Sequence, residues 1–253
     1  MPAILTNTII GHPFIKLNSV DSTNNYAMRQ VKSGLAKHGT AYFAHEQTAG
    51  KGQRNKQWLS SKNQNIILSV VLNTEKLLLS QQFHLNIVSA LAVFNLFNNY
   101  TTNNLKIKWP NDIYWQDRKA GGILIENIIS GTTWKFAVAG FGLNINQTIF
   151  SPLLKNPSSL KQITGKEYDV IDLSQQLFSI LEIKFFQLLA GNINVLMHEY
   201  NQHLYKKDSL VKFRRNSVAF EARVIRVDEA GRLIVRTSHE ETFEFGSLEW
   251  IIE

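Results

Sequence analysis

The chain has 253 residues, 44% of them hydrophobic and 19% charged, which gives room for one large domain or one large and one small and carries no tract that argues for disorder. It has no cysteine, so disulfides, thiolate zinc sites and a cysteine nucleophile are excluded. No apolar run approaches the roughly 18 residues of a membrane span, and Met1-Pro2-Ala3-Ile4 lacks the marks of a signal peptide, so a cytoplasmic location without membrane contact is expected; the formal net charge of +7 favours an anionic ligand or an acidic protein partner.

Phe14 to Val20 reads as a strand, and Asp21-Ser22-Thr23 supplies caps for a helix through Tyr26, Ala27 and Val31 that stops at Gly34. Ala41 to Glu46 is a short strand feeding the stretch HEQTAGKGQRNKQW, residues 45 to 58, and Asn65 to Asn73 is a second strand apolar enough to be buried on both faces. Behind Ser80, the recurrence of Phe83, Ile87, Leu91 and Phe94 predicts an amphipathic helix packed on the sheet. Leu105 to Trp115, Ala120 to Ser130 and Thr133 to Asn146 read as three successive strands of an antiparallel meander. Helical periodicity returns over Asp172 to Ala190 and Ile193 to Leu204.

From Tyr205 the pattern becomes all β: Phe220, Ala222 and Val224, then Leu233 and Val235, then Phe243 and Phe245 alternate with polar residues. This gives an α+β unit over 1–204 and a small β module over 205–253. About 49 residues make a thin core, so the module is expected to lean on its neighbour.

Gly50 and Gly52 let the backbone approach a ligand and present its amides, while Lys51, Arg54 and Lys56 add positive charge, an arrangement suited to phosphate or carboxylate. The same composition also occurs in ordinary surface loops. Neither a Walker loop nor a dinucleotide fingerprint is present, and Gly140-Phe141-Gly142 fails the latter test too. In KWPND, Lys108 to Asp112, followed by DRKAGGILIE, Lys119 precedes Gly121-Gly122 and so sits where it can neutralise charge on a phosphoryl oxygen; a solvated lysine in a hairpin turn is the plainer reading.

DSTNNYA, EQTAGKGQRNKQW, KWPNDIYW, DRKAGGILIE and GFGLNIN occur in the order and approximate spacing of the biotin protein ligases, and the chain resembles that family from about Phe14 to the C-terminus. The resemblance implies a mixed, largely antiparallel sheet flanked by helices, the class II synthetase-like catalytic fold, with a small SH3-like C-terminal barrel. It implies a ligase that joins biotin to ATP with Mg2+ and passes the biotinyl group from biotinyl-5′-AMP to one lysine of a biotin carboxyl carrier protein domain, as a monomer or homodimer. Some members carry an N-terminal helix-turn-helix domain; only about a dozen residues precede the first strand here, so the short form, without DNA binding, is expected.

Carried over residue by residue, the resemblance places Ser22, Thr23, Asn24 and Gln47 on biotin, the first two doubling as candidate helix caps. Lys51, Gly52 and Gln53 would wrap its carboxylate, with Trp58, Lys119, Gly121 and Gly122 alongside. Arg54, Lys56, Trp109, Asn111, Lys119 and Asn144 would meet ATP, although a solvated role for Lys56 stands equally. Lys119 and Arg54 would be the catalytic pair. Asp112 and Asn144 are the magnesium candidates, Asp112 being equally readable as a turn residue, and Phe150 or Leu153 would cover adenine. Many members have arginine where Gln53 stands and glycine where Asn55 stands; Asn tolerates a left-handed backbone, so the turn is expected to survive, while Lys51 and Arg54 are expected to compensate for the lost charge.

Two other readings remain. A lipoate protein ligase would share fold and chemistry, but the polar Ser22-Thr23-Asn24 trio favours a ureido ring over a dithiolane. The basic residues Lys206, Lys207, Lys212, Arg214, Arg215, Arg223 and Arg226 would serve a nucleic-acid-binding C-terminal module or merely a solvated face. In HEYNQH the histidines are five apart, about 140° around a helix, which argues against a zinc site.

Overall fold

The computed structural model describes residues 9–101 and 104–251; the reading of Met1-Pro2-Ala3-Ile4 lies outside them. A seven-stranded sheet organises the larger part of the chain, in the order β1-β2-β3-β7-β6-β5-β4. Its strands are β1 Phe14–Leu17, β2 Ala41–Ala44, β3 Ile66–Asn73, β4 Leu105–Lys108, β5 Asp112–Trp115, β6 Arg118–Ser130 and β7 Thr133–Leu143. All ladders are antiparallel except β1 with β2, whose crossover is the helix α1, Thr23–Lys32. The meander therefore holds with one correction: Leu105 to Trp115 is two strands, not one. The Trp109-Pro110-Asn111 segment folds β4 back on β5 with Lys108 opposite Asp112, as a proline without an N–H to donate would dictate.

The two faces of this sheet are covered unequally. On one lie α2, Gln82–Asn98, and α4, Val170–Leu189, whose apolar residues join Leu68, Val70, Ala139, Phe141 and Ile123 in the main core. The other face carries α1 and a small cluster of Ala27, Ala36, Tyr42, Val71 and Val138. Residues alternate between faces along a strand, so Ser69 of β3, Gly140 and Gly142 of β7, and Gly122, Leu124 and Glu126 of β6 all point toward this thinly covered side. Small and polar residues there leave the room that a ligand needs.

Two further short helices are α3 Leu160–Thr164 and α5 Ile193–Gln202, and the chain ends in a second, antiparallel sheet built from β8 Leu210–Arg215, β9 Val218–Val227, β10 Leu233–Arg236, β11 Glu240–Phe243 and β12 Glu249–Trp250. Its order is β11-β10-β9-β8-β12, an SH3-like sheet in which no ladder closes β11 onto β12 among the described residues. As expected of so small a module, its core is continuous with the main one through Phe213, Val224, Val235 and Phe243. Polar ties fix it further: the Trp109 indole donates to the Gly231 carbonyl at 2.8 Å, Asn201 exchanges two hydrogen bonds with the Val227 backbone, and Tyr205 and Lys206 both reach Asp117.

Candidate active site

The floor of the site begins at the start of α1. Ser22 occupies the N-cap position, with its hydroxyl facing the Asn25 amide at 3.5 Å, which leaves the next two side chains free for other work. Thr23 and Asn24 are 4% and 3% exposed, and both turn toward β3. Gln47 Oε1 accepts from the Thr23 backbone at 2.7 Å and from its hydroxyl at 3.1 Å. The Ser69 hydroxyl lies 2.8 Å from Thr23 Oγ1 and 2.6 Å from Asn24 Oδ1. Asn24 Nδ2 donates to the Leu124 carbonyl and to Glu126 Oε2. Four of these residues were expected from the sequence. Ser69 and Glu126 were not: their signals are a lone hydroxyl in the apolar run IILSVVL and the carboxylate that ends GGILIE.

Gly140 explains why Asn24 fits, because a Cβ there would stand 2.3 Å from Asn24 Oδ1. Two residues along β7, Gly142 lies opposite Gly122 of β6, and the Trp58 indole rests on this bare pair; a Cβ on Gly142 would meet it at 2.5 Å. Three glycines thus pave a trough that runs from the Thr23–Asn24 floor to the space under Trp58.

At the far end stands Lys119. Its ammonium pairs with Asp112 at 2.7 Å and lies 5.6 Å from the centre of the Trp58 ring. Its backbone is fixed by the Asn156 carbonyl and the Ser158 amide, so the lysine is positioned from both sides. Asn144 Nδ2 donates to the Ser158 carbonyl at 2.9 Å, and the Asn111 side chain donates to the Ile123 carbonyl. Trp109 is buried with its N–H on Gly231, where it joins the two sheets. Lys108 of β4 has its ammonium over the rings of Tyr114 and Trp250, and burial, reinforced by the charges of Lys119 and Lys56 against that of Asp112, lowers its pKa to about 8.

The glycine and lysine loop forms a narrow hairpin above this trough. Gly50 accepts from the Trp58 amide and Gly52 donates to the Lys56 carbonyl, with Gln53–Asn55 as a 3-10 turn at the tip. Here the structure differs from the expectation at Asn55: the left-handed residue is Arg54, at φ 55°. The Arg54 guanidinium donates to the Gly246 carbonyl of the C-terminal module at 3.1 Å, and Lys51 lies 3.7 Å from Glu126. Lys56 is exposed, Gln53 half-buried. Phe150 joins Gln47 and Trp58 around a depression of about 400 Å³, whereas Leu153 is exposed.

Several remaining features are accounted for structurally. Most of the C-terminal basic cluster is engaged: Arg214 pairs with Glu249, Arg226 with Glu240 and Lys206 with Asp117, while Arg215 lies over Phe243 and Arg223 donates to the Asp208 carbonyl. This does not make a bare cationic stripe. His203 stacks on Phe94 while His198 meets Gln202 at the surface, so the two histidines face apart as their spacing requires. Among the described residues no three His, Cys, Asp or Glu side chains converge on a metal site, and no helix is long and apolar enough to cross a membrane.

Comparison with known proteins decides the family. Residues 17–144, half of the chain, match the Biotin/lipoate A/B protein ligase family. The chain belongs to that family. Along 236 residues it is 25% identical to the bifunctional ligase/repressor BirA of Bacillus spizizenii, spanning 92% of this chain and 72% of that protein. It is 33% identical over 160 residues to the biotin–[acetyl-CoA-carboxylase] ligase of Paracoccus denitrificans, 60% of this chain and 65% of that one. Its fold superposes on the biotin protein ligase of Aquifex aeolicus, a structure holding biotin and ATP, with a TM-score of 0.79, 24% identity and coverage of 94% and 98% of the two chains. The matched segment runs from β1 to Asn144 and so contains the whole trough, from Thr23 to Lys119.

Proposed function

We propose that this member of the biotin/lipoate ligase family is a biotin protein ligase, which forms biotinyl-5′-AMP from biotin and ATP and transfers the biotinyl group to a lysine of a biotin carboxyl carrier protein domain. The observation that carries this reading is the buried polar floor at one end of the trough with a positioned lysine at the other. Burying hydrogen-bonding groups costs free energy unless the ligand meets them. A ureido ring does so, and a dithiolane does not. Relatives named as biotin ligases support the same choice.

In this reading the ureido ring lies against Thr23, Asn24 and Gln47, and the valeryl chain follows the glycine-paved trough beneath Trp58. The carboxylate ends between Lys119 and the backbone of Gly50 to Gln53, where it attacks the α-phosphorus of ATP and pyrophosphate leaves. Lys119 neutralises charge on the transferred phosphoryl group, while Lys51, Arg54 and Lys56 close over it. Asn111 and Asn144 shape the nucleotide end; Trp109 acts through the joint it makes with Gly231, and Gly121, expected on biotin, instead faces Leu143 and Ile113 on the core side of β6, because neighbouring strand residues alternate between faces. In transfer the acceptor lysine is the nucleophile and AMP the leaving group, so no side chain of this chain forms a covalent intermediate.

Magnesium fits the donor set as the companion of ATP. Asp112 offers the oxygen not engaged by Lys119 and Asn144 its Oδ1, which accepts no bond among the described residues, two protein oxygens of the kind that suffice for an ion held mainly by phosphate and water. Bound there, it would neutralise the polyphosphate. Residues 1–204 form the catalytic unit and 205–253 a module that braces KWPND and meets Arg54; an intracellular, cytoplasmic setting follows from the substrate pair. Incubation of the purified protein with ATP, Mg2+, an acceptor domain and either biotin or lipoate, followed by weighing of the acceptor, tests the assignment. A mass gain of one biotinyl group supports it; gain of a lipoyl group, or of nothing, overturns it.

A further inference from the structure

The floor of the trough admits a count of donors and acceptors. Asn24 commits both Nδ2 hydrogens, one to the Leu124 carbonyl at 3.2 Å and one to Glu126 Oε2 at 2.9 Å. A carbonyl and a carboxylate are acceptors only, so the amide cannot be turned round, and Oδ1 is held against Ser69 at 2.6 Å. The Thr23 hydroxyl has Gln47 Oε1 within 3.1 Å, and the single Ser69 proton has Asn24 as its nearer acceptor. After these assignments the side-chain donors of Thr23, Asn24 and Ser69 are all engaged. Lone pairs remain on Asn24 Oδ1, Thr23 Oγ1 and Ser69 Oγ. The complementary donor is Gln47 Nε2, which has no acceptor within hydrogen-bond distance among the described residues.

We propose that Glu126 and Ser69 are positioning residues that set ligand specificity: by locking the Asn24 amide from its two ends they leave the floor rich in acceptors, and so select a ring that carries N–H donors beside a carbonyl. This rests on the biotin ligase reading and deepens it, because it names which groups choose between the two acids of the family. Glu126 lies at the mouth of the floor at 30% side-chain exposure and Ser69 is fully buried, so neither would be singled out by charge or by accessibility. The proposal also separates two roles of one carboxylate. Glu126 pairs with Lys51 at 3.7 Å as well as accepting from Asn24 at 2.9 Å, and only the second contact bears on specificity here.

The test is biotin-dependent exchange of pyrophosphate into ATP, run on the wild type, Glu126→Ala, Glu126→Gln, Ser69→Ala and the Ser69→Ala/Glu126→Ala pair, with melting temperatures recorded for each. Glu126→Ala is expected to raise the biotin KM roughly tenfold, the order of one lost hydrogen bond to a charged group, with kcat and the ATP KM unchanged. Glu126→Gln keeps an acceptor oxygen and loses the charge, so it should recover most of the biotin affinity. Because both positions act through Asn24, the double variant should lose far less than the product of the two single losses. Desthiobiotin, which retains the ureido group, should show the same ratios as biotin.

A Glu126→Gln enzyme as weak as Glu126→Ala would overturn the proposal in favour of the Lys51 ion pair. Strictly multiplicative losses in the double variant, or equal falls in kcat and kcat/KM, would overturn it as well. Should Ser69→Ala fail to fold, the Glu126 pair of variants decides the matter alone. Absence of exchange in the wild type is distinguishable from all of these, since it removes the ligase reading and this proposal with it.

Discussion

The floor of the trough and the loop above it differ in how they are held. Thr23, Asn24 and Ser69 are buried, carried on a helix start and a central strand, and tied to one another before any ligand arrives. The hairpin from Gly50 to Trp58 has two backbone rungs, a left-handed Arg54 at its tip and cations borrowed by Gly246 and Glu126. Such a division suits adenylation. A neutral ring is recognised by fixed hydrogen bonds whose geometry must not drift, whereas a charged reacting centre must be admitted and then covered.

The strongest way to break this contrast is at Lys119, which belongs to the rigid half but serves the charged end. Lys119→Ala should slow adenylate formation by ~100-fold or more, as for other lost electrostatic donors; an unchanged rate of pyrophosphate exchange would deny it that role. Next is the seam where loop meets floor. Gly142→Ala puts a methyl group 2.5 Å from the Trp58 ring, and the resulting displacement should cost about tenfold in biotin affinity, within the range of overpacked sites. An unaltered affinity with an unaltered Trp58 fluorescence would show that the indole does not rest there.

A smaller effect is expected where the rigid half is strained electrostatically. Lys108 titrates near 8 in the folded chain against an ordinary value of 10.5, so the unfolded chain binds the proton more tightly across that window. Stability should therefore rise with pH from about 8 toward 10.5, and Lys108→Met should lose this slope. A wild-type advantage that stays constant over the window would contradict the burial. The mildest effect concerns the loop itself: protease cleavage between Gly50 and Lys56 should slow a few-fold when biotin and ATP are present together, and equal cleavage with and without them would count against closure.

What the sequence made legible follows the same division. Strand alternation and helical spacing gave the sheet, α1 and the C-terminal module because burial leaves a strong periodic trace. The cap at Ser22 and the glycines of GFG were visible as residue types, but only pairing across the ladder shows that Gly142 faces Gly122 and that Gly140 makes room for Asn24. Leu105 to Trp115 was read as one strand although Pro110 marks a break, since the apolar residues on either side continue the alternation. Ser69 escaped notice because a hydroxyl within a buried strand carries no local signature, and Glu126 because its partner Asn24 lies 102 residues away. Arg54 took the left-handed position in place of Asn55, a choice fixed by the two-rung hairpin and the Gly246 carbonyl, not by local propensity.

The most direct measurement is a crystal structure with biotinyl-5′-AMP bound. The fixed floor should then hold the ureido ring against Thr23 and Asn24 with their present geometry, the acyl phosphate should lie beside Lys119, and the hairpin from Gly50 to Lys56 should have moved onto it. An adenylate seated away from Asn24 and Lys119, or a floor rebuilt around the ring while the hairpin stays where it is, would contradict the account.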